Sequence, residues 1–378
     1  MRRRICYVTG TRADFGLMER SLRLIHQHPG LELGLCVTGM HLSEQSGRTV
    51  SGVEASGLPL WGQIPVDLSA GDGAAMARAL SEELKGLITE FLLHRPDMVL
   101  VLGDRGEMLA GALAAIHLNI PVVHVHGGER SGTVDEPVRH AISKLSHYHF
   151  TATEGARVRL ERMGERKDRI FVTGAPGLDG LAENAPVAYR NTLCVEAGLD
   201  PSRPVALVIY HPVLQTAAAA GQEMATILAA LETVAMQVLC FNPNADAGNQ
   251  LIRAEIGRHV GRNGFRVITN IGRNDYFAWL GCADMLVGNS SSGIIEAASF
   301  GLPVVNIGNR QYERERNANT TDVPVEFGRI QAALSAALRH GRYPLQNVYG
   351  DGRAGERIVE LLSTLPISQD LLNKSNVY

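Results

Sequence analysis

Short runs of β-branched and aliphatic residues alternate along the chain with longer stretches whose apolar positions recur every three or four residues. The runs 4–9, 33–38, 98–102, 122–125, 150–153 and 170–173 are rich in β-branched, aliphatic or aromatic residues and too short for helices, so they predict buried strands. Between them, 16–28, 76–93, 107–117 and 136–145 carry helical periodicity, the last with Thr133 or Asp135 placed to cap it. Strands separated by helices predict α/β architecture with a parallel sheet. The pattern lapses between about 179 and 203, where Asn184, Pro186, Asn191 and Pro201 accumulate and a linker is expected. It resumes with strands at 205–210, 238–241, 265–269, 285–288 and 304–307. Two successive doubly wound domains are therefore expected, 1–185 and 200–350, followed by a segment 351–378 whose polar end, from 368, is expected to fray. Such sheets bind ligands beyond the carboxyl ends of their strands, which puts a cleft between the domains and makes strand-following residues the candidates for chemistry.

Composition narrows the function classes. The 378 residues carry 36 Lys and Arg against 39 Asp and Glu, and a net charge of −3 offers no general attraction to nucleic acid or an anionic membrane. Any bound anion must be held locally. No run approaches the ~20 apolar residues of a membrane span, and the apolar run behind Arg2, Arg3 and Arg4 is too short for a signal peptide. Cys6, Cys36, Cys194, Cys240 and Cys282 form no C-x-x-C pair and mostly sit in apolar runs, as reduced core thiols would. A cytoplasmic protein is expected.

The first strand ends in Thr9-Gly10-Thr11-Arg12-Ala13-Asp14-Phe15-Gly16, a strand-to-helix turn whose N–H groups and Arg12 guanidinium suit a phosphate. It is neither a P-loop nor a G-x-G-x-x-G fingerprint, which argues against an ATPase and a dehydrogenase; a plain turn would account for the segment equally simply. In the second domain Gly288 runs into Asn289-Ser290-Ser291-Ser292-Gly293 and a helix start. N–H groups, three hydroxyls and the helix dipole there favour a diphosphate, unless the serines merely cap the helix. Glu296, one turn further, suits the two hydroxyls of a ribose. Between 101 and 149, Gly103-Asp104-Arg105 and His124-Val125-His126-Gly127-Gly128-Glu129 follow adjacent strands, and Asp135, Glu136, Arg139 and His140 open a helix. Grouped carboxylates at strand ends suit proton transfer at carbon. Six of the 13 histidines fall in this stretch, with His124 and His126 expected on one strand face and His140 and His147 on one helix face, but without a metal-ligand spacing. No metal is expected. His211 closes the first strand of the second domain and so faces the expected cleft.

The order of these motifs is distinctive: Gly10-Thr11-Arg12-Ala13-Asp14, Thr38-Gly39-Met40-His41, Gly103-Asp104-Arg105, His126-Gly127-Gly128-Glu129, Asp135 with Arg139-His140, His211-Pro212, Asn244-Ala245-Asp246, Gly288-Asn289-Ser290-Ser291-Ser292 and Gly308-Asn309-Arg310-Gln311. From Ile5 to about Gln311 the chain resembles the hydrolysing UDP-N-acetylglucosamine 2-epimerases of sialic acid biosynthesis. The resemblance implies a GT-B-like fold of two Rossmann-like domains, UDP held mainly by the second, and the segment 351–378 returning to the first. It implies a UDP-sugar substrate, no cofactor, no catalytic metal and a homo-oligomer. The implied reaction eliminates UDP through a 2-acetamidoglucal and adds water, releasing a free 2-epimeric sugar; from UDP-N-acetylglucosamine, the favoured substrate, this is N-acetylmannosamine.

By position the resemblance assigns Asp104 and Asp135 to elimination and water addition and His211 to the departing diphosphate. It assigns Arg12, Asn244, Ser290, Ser291, Ser292, Glu296 and Arg310 to UDP or substrate contacts. His126 stands where many members carry a catalytic Glu, so either its imidazole, ordinarily titrating near pH 6.5, or nearby Glu129 takes that task. The rival substrate within the same chemistry is UDP-2,4-diacetamido-2,4,6-trideoxyglucose, of the legionaminic acid pathway. The same phosphate-binding half would also serve a non-hydrolysing epimerase, a GT-B glycosyltransferase or a nucleotide-sugar sensor.

Overall fold

In the first unit of the chain, β1 (Arg3–Thr9), β2 (Leu31–Thr38), β3 (Leu60–Ile64), β4 (Met98–Leu102), β5 (Val122–Val125), β6 (Tyr148–Thr151) and β7 (Ile170–Val172) pair in the order β3-β2-β1-β4-β5-β6-β7. In the second, β8 (Val205–Ile209), β9 (Gln237–Phe241), β10 (Phe265–Ile268), β11 (Met285–Gly288), β12 (Val304–Ile307) and β13 (Thr320–Val323) pair in the order β10-β9-β8-β11-β12-β13. Every pairing is parallel. The computed structural model describes residues 2–44, 48–68, 73–130, 136–181, 189–243, 248–269 and 271–377. The first unit comprises Met1–Asp179 and Tyr349–Tyr378, the second Gly180–Val348.

The central strands of each sheet are covered on both faces, which is why they read as unbroken apolar runs. On β1, Ile5 and Tyr7 point into a core shared with Met18, Leu22 and Ile25 of the helix Arg12–Gln27 and with Ile358 and Leu362 of the helix Ala354–Thr364. Cys6 and Val8 point the other way, towards Leu87, Phe91 and Met108 of the helices Gly73–His94 and Gly106–His117. Both strand orders reverse between their first and fourth strands, β1/β4 and β8/β11. Sheets of this kind open a ligand crevice at such a reversal.

The structure corrects several expectations. The first helix begins at Arg12 rather than at 16, because Thr11 caps it. His126 lies beyond the end of β5, and His147 lies past the helix Glu136–Leu145, bonded to Val122 of β5 through its backbone N–H and its Nδ1. The expected linker is partly folded: in the helix Arg190–Glu196, Cys194 is buried and Arg190 bonds to Pro201 O at 3.0 Å and Asp284 Oδ2 at 2.9 Å. Residues 182–188 of that stretch, with Asn184 and Pro186, lie outside the described residues. The tail expected to fray is bound: Leu371 is buried, Lys374 Nζ lies 2.6 Å from Glu165 Oε2, and Val377 N donates to Gly164 O at 2.8 Å. No helix among the described residues is long and apolar enough to cross a membrane.

Candidate functional site

At the β1/β4 reversal the helix Arg12–Gln27 opens with a reciprocal cap. The Thr11 hydroxyl accepts from Asp14 N, and Asp14 Oδ2 accepts from Thr11 N at 2.7 Å and Gly10 N at 3.1 Å. The N–H groups the sequence offers to a phosphate at Gly10 and Thr11 are therefore taken by Asp14. Arg12, on the first turn, is exposed. Thr9 Oγ1 bonds Asp14 and lies 3.0 Å from His41 Nε2, whose Nδ1 is 2.9 Å from Thr49 Oγ1. Burial raises the Asp14 carboxyl to about 6, against the pull of its hydroxyl donors.

Glu107, in the first turn of the helix Gly106–His117, is a buried member of this group that no sequence motif marks. Its Oε1 accepts from Nε and Nη2 of Arg105, both at 3.1 Å. A Cβ built on Gly10 would lie 2.3 Å from Glu107 Oε1, and one on Gly39, at φ +57°, would lie 2.9 Å from it. Both glycines thus leave the volume that the carboxylate occupies. Glu83 is buried nearby; burial first, and then the Glu107 charge, push its carboxyl up to about 8.

The turn after β4 is set by β5. His124 Nε2 lies 2.7 Å from Gly103 O and its Nδ1 3.1 Å from Ser143 Oγ, and burial lowers the ring to about 3. With both nitrogens engaged, His124 is a neutral strut that fixes the Gly103-Asp104 turn. Asp104 pairs with Nη2 of Arg139, a buried arginine whose Nε and Nη1 have no partner among the described residues. Unpaired guanidinium N–H groups of this kind suit an oxyanion or carbonyl of a ligand. His126 follows β5 with φ +64°, and its Nδ1 is 2.8 Å from Glu129 Oε1. His140 lies 3.5 Å from Glu136 on its own helix. Asp135 falls outside the described residues, as does Thr133.

In the second unit, β8 and β11 approach so closely that Asn289 N donates to Ile209 O at 3.1 Å. Gly288, at φ +137°, permits this, since a Cβ there would lie 2.0 Å from Ile209 O. Asn289 then clasps His211 through Oδ1 to His211 N and Nδ2 to His211 O, each at 2.8 Å. Arg310 Nη1 and Gln311 Nε2 donate to Asn289 O at 3.2 and 3.0 Å, so His211, Asn289 and Arg310 meet at the β8/β11 reversal. Ser290 caps the short helix Ser291–Ile295 by accepting from Ser292 N, and the Ser292 hydroxyl links Tyr276 to Glu296. Burial raises the Glu296 carboxyl, while the Ser292 donor and Arg273 pull it down. Beside this group a cavity of about 490 Å³ is lined by Asn289, Asn309, Tyr312, Tyr210 and Val325. Asn244 lies outside the described residues.

Thus Asp104, His126 and Glu129 come to one end of the first sheet, and His211, Ser290, Ser291, Ser292, Glu296 and Arg310 to the corresponding end of the second. Glu107 and the buried face of Arg139 are the additions. Among the described residues no three His, Cys, Asp or Glu side chains form a group able to hold a metal ion.

Comparison with known proteins shows the family and the fold. A family described as UDP-N-acetylglucosamine 2-epimerase matches residues 23–363. The chain is 48% identical over 378 residues, 100% of both chains, to the hydrolysing UDP-N,N'-diacetylbacillosamine 2-epimerase of Legionella pneumophila. It is 34% identical over 372 residues to the UDP-N-acetylglucosamine 2-epimerase of Neisseria meningitidis, covering 96% of this chain and 95% of that one. A crystal structure of UDP-GlcNAc 2-epimerase from Neisseria meningitidis bound to UDP-GlcNAc superposes with a TM-score of 0.80 at 18% identity, over 95% of this chain and 99% of the other. The fold is accordingly GT-B-like, with two Rossmann-like units.

Proposed function

Because the chain belongs to the UDP-N-acetylglucosamine 2-epimerase family, we propose that it is a hydrolysing UDP-sugar 2-epimerase whose substrate is UDP-2,4-diacetamido-2,4,6-trideoxyglucose, the sugar called N,N'-diacetylbacillosamine in the Legionella relative's name. The observation that carries the substrate is the end-to-end 48% identity to that relative, against 34% to the Neisseria UDP-N-acetylglucosamine enzyme. This moves the preference from UDP-N-acetylglucosamine to the diacetamido sugar.

In the proposed reaction the second unit holds UDP, with Glu296 at the ribose and Ser290, Ser291, Ser292 and Arg310 at the diphosphate. Asn244 adds a further UDP or substrate contact. His211, clasped by Asn289, stands by the departing oxygen. The first unit supplies the chemistry at carbon. A C2 hydrogen is only weakly acidic, so the C1–O bond must lengthen early, and the cationic character at C1 is met by carboxylates. Asp104 and Asp135 take the elimination and water-addition roles, Arg12 adds a diphosphate contact, and the His126–Glu129 turn supplies a further acid–base group.

The two substrates differ at C4 and C6, where an acetamido and a methyl group replace two hydroxyls. A site that hydrogen-bonds a substrate hydroxyl rejects analogues lacking it by about 10⁴-fold or more, so the preference is measurable. With the two UDP-sugars in competition, the diacetamido substrate is expected to show a kcat/KM at least ~100-fold higher. A preference for UDP-N-acetylglucosamine would overturn the assignment.

A further inference from the structure

Two of the side chains that set the Gly103-Asp104 turn stand on one helix, Glu136–Leu145. Arg139 pairs with Asp104, and Ser143, four residues on and so on the same face, has its Oγ 3.1 Å from His124 Nδ1. His124 Nε2 lies 2.7 Å from Gly103 O. A carbonyl only accepts, so the ring hydrogen is on Nε2 and the Ser143 hydroxyl donates to Nδ1. The turn after β5 closes over that contact: a Cβ on Gly127 would lie 2.9 Å from His124 Nδ1 and 3.1 Å from Ser143 Oγ. The place of this helix therefore decides where the turns after β4 and β5 stand. What holds it is at its far end, where the last carbonyls of a helix have no partner within it. Lys374, 231 residues beyond Ser143, donates from Nζ to Ser143 O at 3.0 Å and to Ser146 O at 2.6 Å, with Glu165 Oε2 also at 2.6 Å. A buried lysine there completes the cap and meets the negative end of the helix dipole. Its own backbone is pinned on both sides: Arg169 donates to Asp370 O at 3.3 Å and Leu371 O at 3.4 Å, and Val377 N donates to Gly164 O at 2.8 Å. Ser143 is thus joined to the tail by its carbonyl and to the β4 turn by its hydroxyl.

We propose that Lys374 is a positioning residue for the reaction: by fixing the end of the helix Glu136–Leu145 it keeps the Ser143 hydroxyl on His124, and through His124 and Arg139 it keeps the Asp104 turn in its working place. This rests on the epimerase reading above, which puts Asp104 at the reacting carbons. The tail then does more than stabilise the first unit, since the bond it secures lies directly beneath two strand-end turns. Neither Lys374 nor Ser143 has to touch the sugar for this, and both act through groups that do.

Histidine ¹⁵N spectra of the full chain test the link without reference to turnover. Wild-type His124 is expected as the Nε2–H tautomer with a hydrogen-bonded Nδ1. Lys374→Met should keep the tautomer and move the Nδ1 resonance towards that of a bare acceptor, the position Ser143→Ala defines by removing the donor, and Lys374→Arg should restore it. In assays with the UDP-sugar, run well below each variant's unfolding midpoint, Lys374→Met should lose at least ~10-fold in kcat, as a small misplacement near reacting atoms does. KM, and the affinity for UDP by calorimetry, should stay within about twofold. Ser143→Ala still offers its carbonyl to the lysine and should lose as much, and the double variant no more than the larger single loss, because both break one link. Should Lys374→Met not fold, Lys374→Gln, which keeps a donor without the charge, takes its place. Losses that multiply in the double variant, or a Lys374 variant that unfolds earlier yet keeps the wild-type Nδ1 resonance and kcat, overturn the proposal. A wild-type chain that turns over no UDP-sugar while its His124 resonance responds as expected rejects the epimerase reading and the role in the reaction with it, whereas an unmoved resonance in an active enzyme rejects the positioning role alone.

Discussion

Glu83 is a carboxyl buried beside Thr38 at the end of β2, raised to about 8 by burial and by Glu107. Its folded value lies above the unfolded one, so its contribution to stability is complete below about pH 4.5 and is lost as pH rises through about 8. Glu83→Gln cannot ionise and should escape that loss. Urea midpoints of the two chains should differ little near pH 5 and favour the variant by on the order of 4 kcal/mol near pH 9. Parallel midpoints across the range would show that Glu83 is not buried as described. This carboxyl and Glu107 were illegible in the sequence, because a Glu within an amphipathic helix carries no sign of its burial. The glycines that admit Glu107 are visible as Gly10 and Gly39, but which side chain fills their space is a tertiary fact. Strand-end motifs were legible because a turn such as Asn289-Ser290-Ser291-Ser292 between a strand and a helix has few uses. The loss of free N–H groups at Gly10 and Thr11 was not, although Asp14 three residues after Thr11 is the sequence mark of a capping box.

Among elements, central strands were the easiest to recognise, since β4 and β8 are buried at every position and carry continuous apolar runs. The edge strands β3 and β13 escaped. Leu60-Trp61-Gly62-Gln63-Ile64 has a glycine at its centre, and Thr320-Thr321-Asp322-Val323 is mostly polar, so neither has the pattern of a strand covered on both faces. The returning segment is held by contacts that no local pattern reveals. Asp179 accepts from Ala354 N at 2.8 Å and Gly355 N at 2.5 Å and so caps a helix 175 residues away. Lys374 closes the tail onto Glu165, which also meets Lys144 and His149, both at 3.1 Å. Burial pushes the Glu165 carboxyl up, but His149 and Lys374 outweigh it and hold it near 2. Lys374→Ala is expected to destabilise the first unit by about 3 kcal/mol at neutral pH, the usual cost of breaking a buried pair. A depressed carboxyl contributes stability above its unfolded value and loses it as pH falls towards 2, so the difference between the chains should narrow below about pH 4. A variant with unchanged thermal unfolding would mean that the tail is not latched.

For the molecule as a whole, each unit carries its candidate groups where its strand order reverses, Asp104 and the Gly10 turn at β1/β4, His211 and Asn289 at β8/β11. The repetition follows from strand order alone, and under the proposed function it puts most candidate nucleotide contacts on the second unit and most candidate acid–base groups on the first. The central claim is that the chain removes the C2 hydrogen of a UDP-sugar and releases the sugar free. The most direct measurement is NMR of the products formed in D₂O from UDP-2,4-diacetamido-2,4,6-trideoxyglucose. The account predicts UDP and a free 2-epimeric sugar carrying one deuteron at C2. An unlabelled C2, a product still joined to UDP, or an unchanged substrate would contradict it.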